Sequence, residues 1–199
     1  MLDAPVPYAY YRRLSSRDKA TYRASDAITT VTVPAPEAVR AHVPAIARGL
    51  AADDRRLTGA AVRALTAALC EQLGAALPIV RVLARRPSSA SAELHGLYER
   101  EPDAPAVIRV WMRTAAHERP VALRTFVRTL LHELCHHFDF ELHGLRDTFH
   151  TEGFFRRESS LARQLLPPPV RSRERATPPP APEPSATQPR AQLELFARP

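Results

Sequence analysis

Apolar residues fall into two kinds of pattern along this chain. Over 36–52, 58–73, 120–138 and 153–166 they recur with the period of a helix face, whereas between 79 and 112 they come in short, β-branched runs. In the first helical stretch Val39, Val43, Ile46 and Leu50 share a face, and Pro44 inside it predicts a kink or an early break. Val62, Leu65, Leu69 and Leu73 mark a second helix, with Thr58 as the expected N-cap and Gly74 and Pro78 as stops. Strands are predicted at 79–83, 93–98 and 106–112, the last two joined by a polar, proline-containing turn at 99–105. Pro120 opens a long helix to 138, whose apolar positions are Leu123, Phe126, Val127, Leu130, Leu131 and Leu134. A loop containing Gly144 leads to a final helix at 153–166. Ahead of these elements, residues 8–26 mix tyrosine with arginine and read as a short helix or an extended arm laid on the domain. Helices, three strands, then two helices is the order of an α+β domain.

Composition narrows this to one core. The chain has 199 residues, 45% of them hydrophobic, and ten of its 20 prolines lie at or beyond Pro167. The expected organisation is therefore a Tyr/Arg-rich arm over 1–35, a folded domain over 36–166 and a Pro-rich tail over 167–199. No run of eighteen apolar residues is present, so nothing in the sequence is expected to span a membrane. The first residues lack a basic-then-apolar signal, which makes the cytoplasm the expected compartment. Cys70 and Cys135 are too few for a disulfide framework and read as small buried hydrophobes. The net charge of +7 favours a polyanionic partner such as DNA. Lys19 is the only lysine, and that arginine usage is equally what a GC-rich genome produces.

The long helix carries the chemistry. Leu131-His132-Glu133-Leu134-Cys135-His136-His137 contains HExxH, which sets two imidazoles at i and i+4 on one face. A catalytic zinc needs three protein ligands and one open position, and His132 and His136 supply two. Glu133 is turned by about 100° around the helix, so it reaches a bound water rather than the metal, as a general base must. Four residues are candidates for the third ligand. His150 precedes the last helix and can point back across the loop; His143 follows His136 closely; Glu152 and Glu158 offer carboxylates, the second only if it faces inward. His137 is rotated away from His136 and reads as a neighbour. Asp139 is either an acceptor for a ligand imidazole or a polar residue at the helix end.

These pieces resemble the SprT-like zinc metallopeptidases, in which helices, a small sheet and an HExxH helix are followed by a later histidine, a glycine and an aromatic residue. The matching residues are His132-Glu133-Leu134-Cys135-His136 and His150-Thr151-Glu152-Gly153-Phe154, with Gly96, Tyr98 and Ile108-Arg109-Val110 matching the strand pair before the metal helix. Thr151 and Glu152 between His150 and Gly153 depart from the family pattern. The resemblance implies a minimal zincin-like domain over 36–166, zinc on His132, His136 and His150, and Glu133 as the catalytic base. It also implies that the strand at 106–112 aligns an extended protein or peptide substrate.

The tail ends differently from the rest of its Pro-rich length. Gln192-Leu193-Glu194-Leu195-Phe196 resembles the peptide by which bacterial proteins bind the DNA sliding clamp, with Gln192 capping by hydrogen bonds and Leu193, Leu195 and Phe196 as the apolar contacts. Together these readings predict a cytoplasmic zinc-dependent endopeptidase acting on DNA-associated proteins and tethered to the clamp. Two other readings share the motifs: a non-catalytic, zinc-stabilised adaptor for clamp or DNA, and a regulatory protease that cleaves one repressor or toxin.

Overall fold

The N-terminal tyrosines and arginines fold rather than trail. In the computed structural model, which describes residues 8–87, 94–114 and 119–167, a 3-10 turn at Ala9–Arg13 leads into helix α1, Ser16–Ala27. Ser15 caps α1 by accepting from the Asp18 amide. Tyr22 is buried on α1, and the extended segment after it sends Val31 and Val33 into the main core. All described residues belong to one compact unit.

Pro44 breaks the next helical stretch in two: α2 is Pro36–Arg40 and α3 is Val43–Ala51. Proline has no amide hydrogen to donate and its ring blocks a preceding helical turn, so it settles in the first turn of α3, where no donor is required. Helix α4, Arg55–Leu73, begins earlier than Thr58 predicts. Asp54 is the cap, accepting from the Leu57 amide at 2.9 Å, while the Thr58 hydroxyl donates to the Asp54 carbonyl at 2.7 Å and is fully buried. Gly74, in the left-handed region at φ +68°, ends the helix as expected.

Three strands follow: β1 at Ile79–Arg85, β2 at Gly96–Glu99 and β3 at Val107–Arg113. Their order is β1-β3-β2, with β3 parallel to β1 and antiparallel to β2. The predicted hairpin is thus β2–β3; Glu93, expected in its first strand, lies outside the described residues. This order corrects one expectation. The strand at 106–112 cannot align a substrate, because as the central strand it is already paired on both edges, whereas among the described residues β2 is paired on one.

Helix α5, Leu123–Glu141, buries Phe126, Val127, Leu130, Leu131, Leu134 and Phe138 against Ile108, Val110 and Met112 of β3 and the apolar faces of α3 and α4. The last helix, α6 at Glu152–Leu165, is capped by the Thr151 hydroxyl, which accepts from the Phe154 amide. The architecture is therefore mixed α/β, with helices on a three-stranded sheet. Cys70 and Cys135 are free and buried. Among the described residues no helix is long and apolar enough to cross a membrane.

Candidate metal centre

Helical geometry places His132 and His136 one turn apart on α5, and the coil before α6 brings His150 over them. The Nε2 atoms of His132 and His150 are 3.0 Å apart and those of His150 and His136 are 3.1 Å apart. One ligand atom from each of the three lies within 4.8 Å of the others.

The other ring nitrogens determine what this arrangement can hold. His132 Nδ1 lies 3.2 Å from Glu158 Oε2. Burial works against the charge on Glu158, yet the His132 imidazole and the Arg128 guanidinium hold its carboxyl below the ordinary range. An ionised carboxylate only accepts, so His132 Nδ1 carries the hydrogen. The Thr148 hydroxyl donates to Asp139 Oδ2 at 2.8 Å, which uses its single hydrogen, so it must accept from His136 Nδ1 at 2.7 Å. Both Nε2 atoms are then bare lone pairs facing His150 Nε2, and one hydrogen on His150 can answer only one of them. A cation answers all three. The observed spacing approaches the ~3.4 Å expected between imidazole nitrogens bound tetrahedrally at about 2.0–2.1 Å from zinc. The donor set fits a metal ion.

Electrostatics agree. Burial, followed by His132, His150 and Arg157, lowers the pKa of His136 to about 3. Burial and then His132 also lower that of His150. Both rings are therefore neutral near pH 7, the form that ligates. Glu133, 6% exposed, is pushed up to about 7 by burial, partly offset by His132, and lines the same recess as the three histidines. Its carboxyl lies against Gly96 of β2: a Cβ at that position would stand 2.7 Å from Glu133 Cδ, so any larger residue would have to push the carboxyl aside.

Of the candidate third ligands, His150 joins the pair. Glu158 does face inward, but it serves the far nitrogen of His132 instead. Glu152 binds Arg156 on the surface at 3.0 Å, and His143 stands outside the cluster. His137 turns away, its Nε2 against the Ala76 carbonyl at 2.7 Å. Asp139 reaches a ligand imidazole only through Thr148, while its other oxygen accepts from Arg157 NH2 at 2.7 Å in a pair that is almost wholly buried. Thr148, Arg128 and Arg157 were not singled out by sequence reasoning, and Gly96 was noted only within the strand pair that carries the resemblance, not as part of the site. Only Gly96 left a trace in the sequence, as a glycine inside a predicted strand.

The N-terminal segment also belongs to the site. Arg157 donates to the Ser25 and Ile28 carbonyls, and the Tyr10 hydroxyl donates to the His150 carbonyl at 3.0 Å. Gly153 lets α6 approach the end of α1, since a Cβ there would fall 2.7 Å from the Ser25 carbonyl oxygen. Gln192, Leu193, Leu195 and Phe196, expected to contact a clamp, lie outside the described residues. Compared with known proteins, the chain matches no family model, no curated protein and no solved structure.

Proposed function

We propose that the chain is a zinc-dependent endopeptidase of the SprT-like kind. One observation carries this reading: two imidazoles with their hydrogens locked on the outer nitrogens converge with a third on one point, and the buried Glu133 carboxyl lies beside them. Zinc bound there supplies polarisation of the substrate carbonyl and a water acidic enough to lose its proton near pH 7. The chain's own residues do the rest. Glu133 accepts a proton from the attacking water and delivers it to the leaving amine as the C–N bond breaks. Burial, which keeps the pKa of Glu133 near neutrality, suits it to both transfers. Gly96 holds the carboxyl in place by leaving it space.

The substrate is an extended protein or peptide segment paired on the open edge of β2, whose Gly96, Leu97 and Tyr98 line the metal recess. The charge of +7 supports action on proteins bound to DNA, and the residues Gln192, Leu193, Leu195 and Phe196 support attachment to the sliding clamp.

The test is Glu133→Gln, compared with wild type for zinc content and cleavage of unfolded protein. Zinc should remain while turnover falls by at least ~100-fold; full proteolysis by the variant ends the proposal. Zinc in the wild type with no turnover at all would favour the adaptor reading. Deletion of residues 192–196 should abolish recovery of purified clamp, and DNA affinity should fall steeply with salt.

A further inference from the structure

Two recesses meet at Gly96, His132 and Glu133. One, about 260 Å³, contains the three histidines. The other, about 510 Å³, extends toward the N-terminal turns of α5, where Leu94, Thr125, Arg128 and Thr129 line it together with Glu158. A substrate chain along β2 with its reacting carbonyl in the first recess must hold a neighbouring residue over the second. The chemistry of the second recess is therefore a selection rule for that residue.

Its charged groups are unequally committed. Glu158 is 8% exposed, and both its oxygens are taken: Oε1 by Arg128 and Oε2 by His132. Arg128 is 44% exposed and grips Oε1 through Nε at 3.0 Å and NH2 at 2.6 Å. Among the described residues its NH1 group has no partner. A guanidinium has five N–H donors, and this grip uses one edge of the fork, so the outer edge remains for an incoming acceptor. The partly exposed Leu94 and the threonine methyl groups offer contact to a short apolar stem.

We propose that this recess receives a carboxylate beside the scissile bond, bound by the outer N–H groups of Arg128. The inference rests on the peptidase reading and names its substrate class. Two sources share this chemistry, an aspartate or glutamate side chain and the free C-terminus of the substrate. An acidic side chain gives internal cuts; a C-terminal carboxylate gives cuts near the chain end that amidation abolishes.

The experiment uses the full-length, zinc-loaded protein with a mixture of peptides randomised around the cut, and the products are identified by mass spectrometry. Acidic residues should be enriched at one position flanking the cut, or cuts should cluster beside free C-termini. In matched peptides, glutamate at that position should exceed glutamine by about tenfold in kcat/KM, the range of a charge-assisted hydrogen bond. Arg128→Leu should bring that ratio close to one whatever its absolute rate, while Arg128→Lys should keep part of it. An apolar preference, no preference, or an undiminished ratio in Arg128→Leu overturns the inference while the peptidase reading stands. Failure of the zinc-loaded wild type to cut any peptide overturns both.

Discussion

His132 and His136 ride on a helix, while His150 rides on coil, and the two are held in place by different means. The pair needs only the periodicity of α5, whose neighbouring Leu130, Leu131 and Leu134 are fully buried and fix the rotation of the helix. The segment between α5 and α6 has no ladder of its own. His150 is held by the Tyr10 hydroxyl on its carbonyl, by the Phe155 ring stacked at 5.7 Å, and by the Thr151 cap that starts α6 immediately after it. Gly153 ties that cap to α1 through Asp26, from the other end of the chain. Periodicity thus places two of the clustered histidines, and contacts across more than a hundred residues place the third.

The sharpest way to break this arrangement is at Arg157, which serves both halves. It neutralises Asp139 on α5 and binds the carbonyls that end α1. Arg157→Leu strands the Asp139 charge in a fully buried position and should cost about 3–5 kcal/mol in denaturant unfolding. Adding Asp139→Asn should restore part of that loss, because it removes the stranded charge. A single variant as stable as wild type would show that the pair does not join the two regions.

A smaller effect is expected where the coil reaches back to the helix. Thr148 lies in the segment that carries His150, yet its hydroxyl links His136 Nδ1 to Asp139. Thr148→Val keeps the shape and removes both bonds, leaving the His136 tautomer unspecified. Zinc affinity in chelator competition should fall about 10–100-fold. An unchanged affinity would mean that α5 orients its own histidines without help from the coil.

The same division governs what the sequence could disclose. Helix α5, its HExxH face, the buried cysteines and the β2–β3 hairpin follow from local spacing and were legible. Among four candidate third ligands the sequence favoured His150 for its place just before α6, but local spacing could not settle it, because the position of His150 depends on the approach of α6 to α1. Glu158 could be seen as inward-facing only once α6 was placed, and its role behind His132 has no local signature. The sheet order was equally hidden: β3 lies between β1 and β2 and pairs with both, so the apolar strand that looked most available is the one with no free edge. Even the start of α4 turned on a choice between Asp54 and Thr58 that both residue types permit.

The mildest test addresses His150 alone. The Tyr10 hydroxyl is exposed enough to be changed without disturbing the core, and burial, with Tyr22 and Tyr8 nearby, pushes its pKa up to about 12, so at neutral pH it is always a donor. Tyr10→Phe keeps the ring contact with Tyr22 and removes only the bond to the His150 carbonyl. One neutral hydrogen bond contributes about 1 kcal/mol, so zinc affinity should weaken by roughly fivefold, with global stability little altered. The loss should vanish in a His150→Ala background, where there is no third imidazole left to position, and should persist beside Thr148→Val, which acts on His136. An additive loss with His150→Ala would show that the arm stabilises the fold in general and does not set the third ligand.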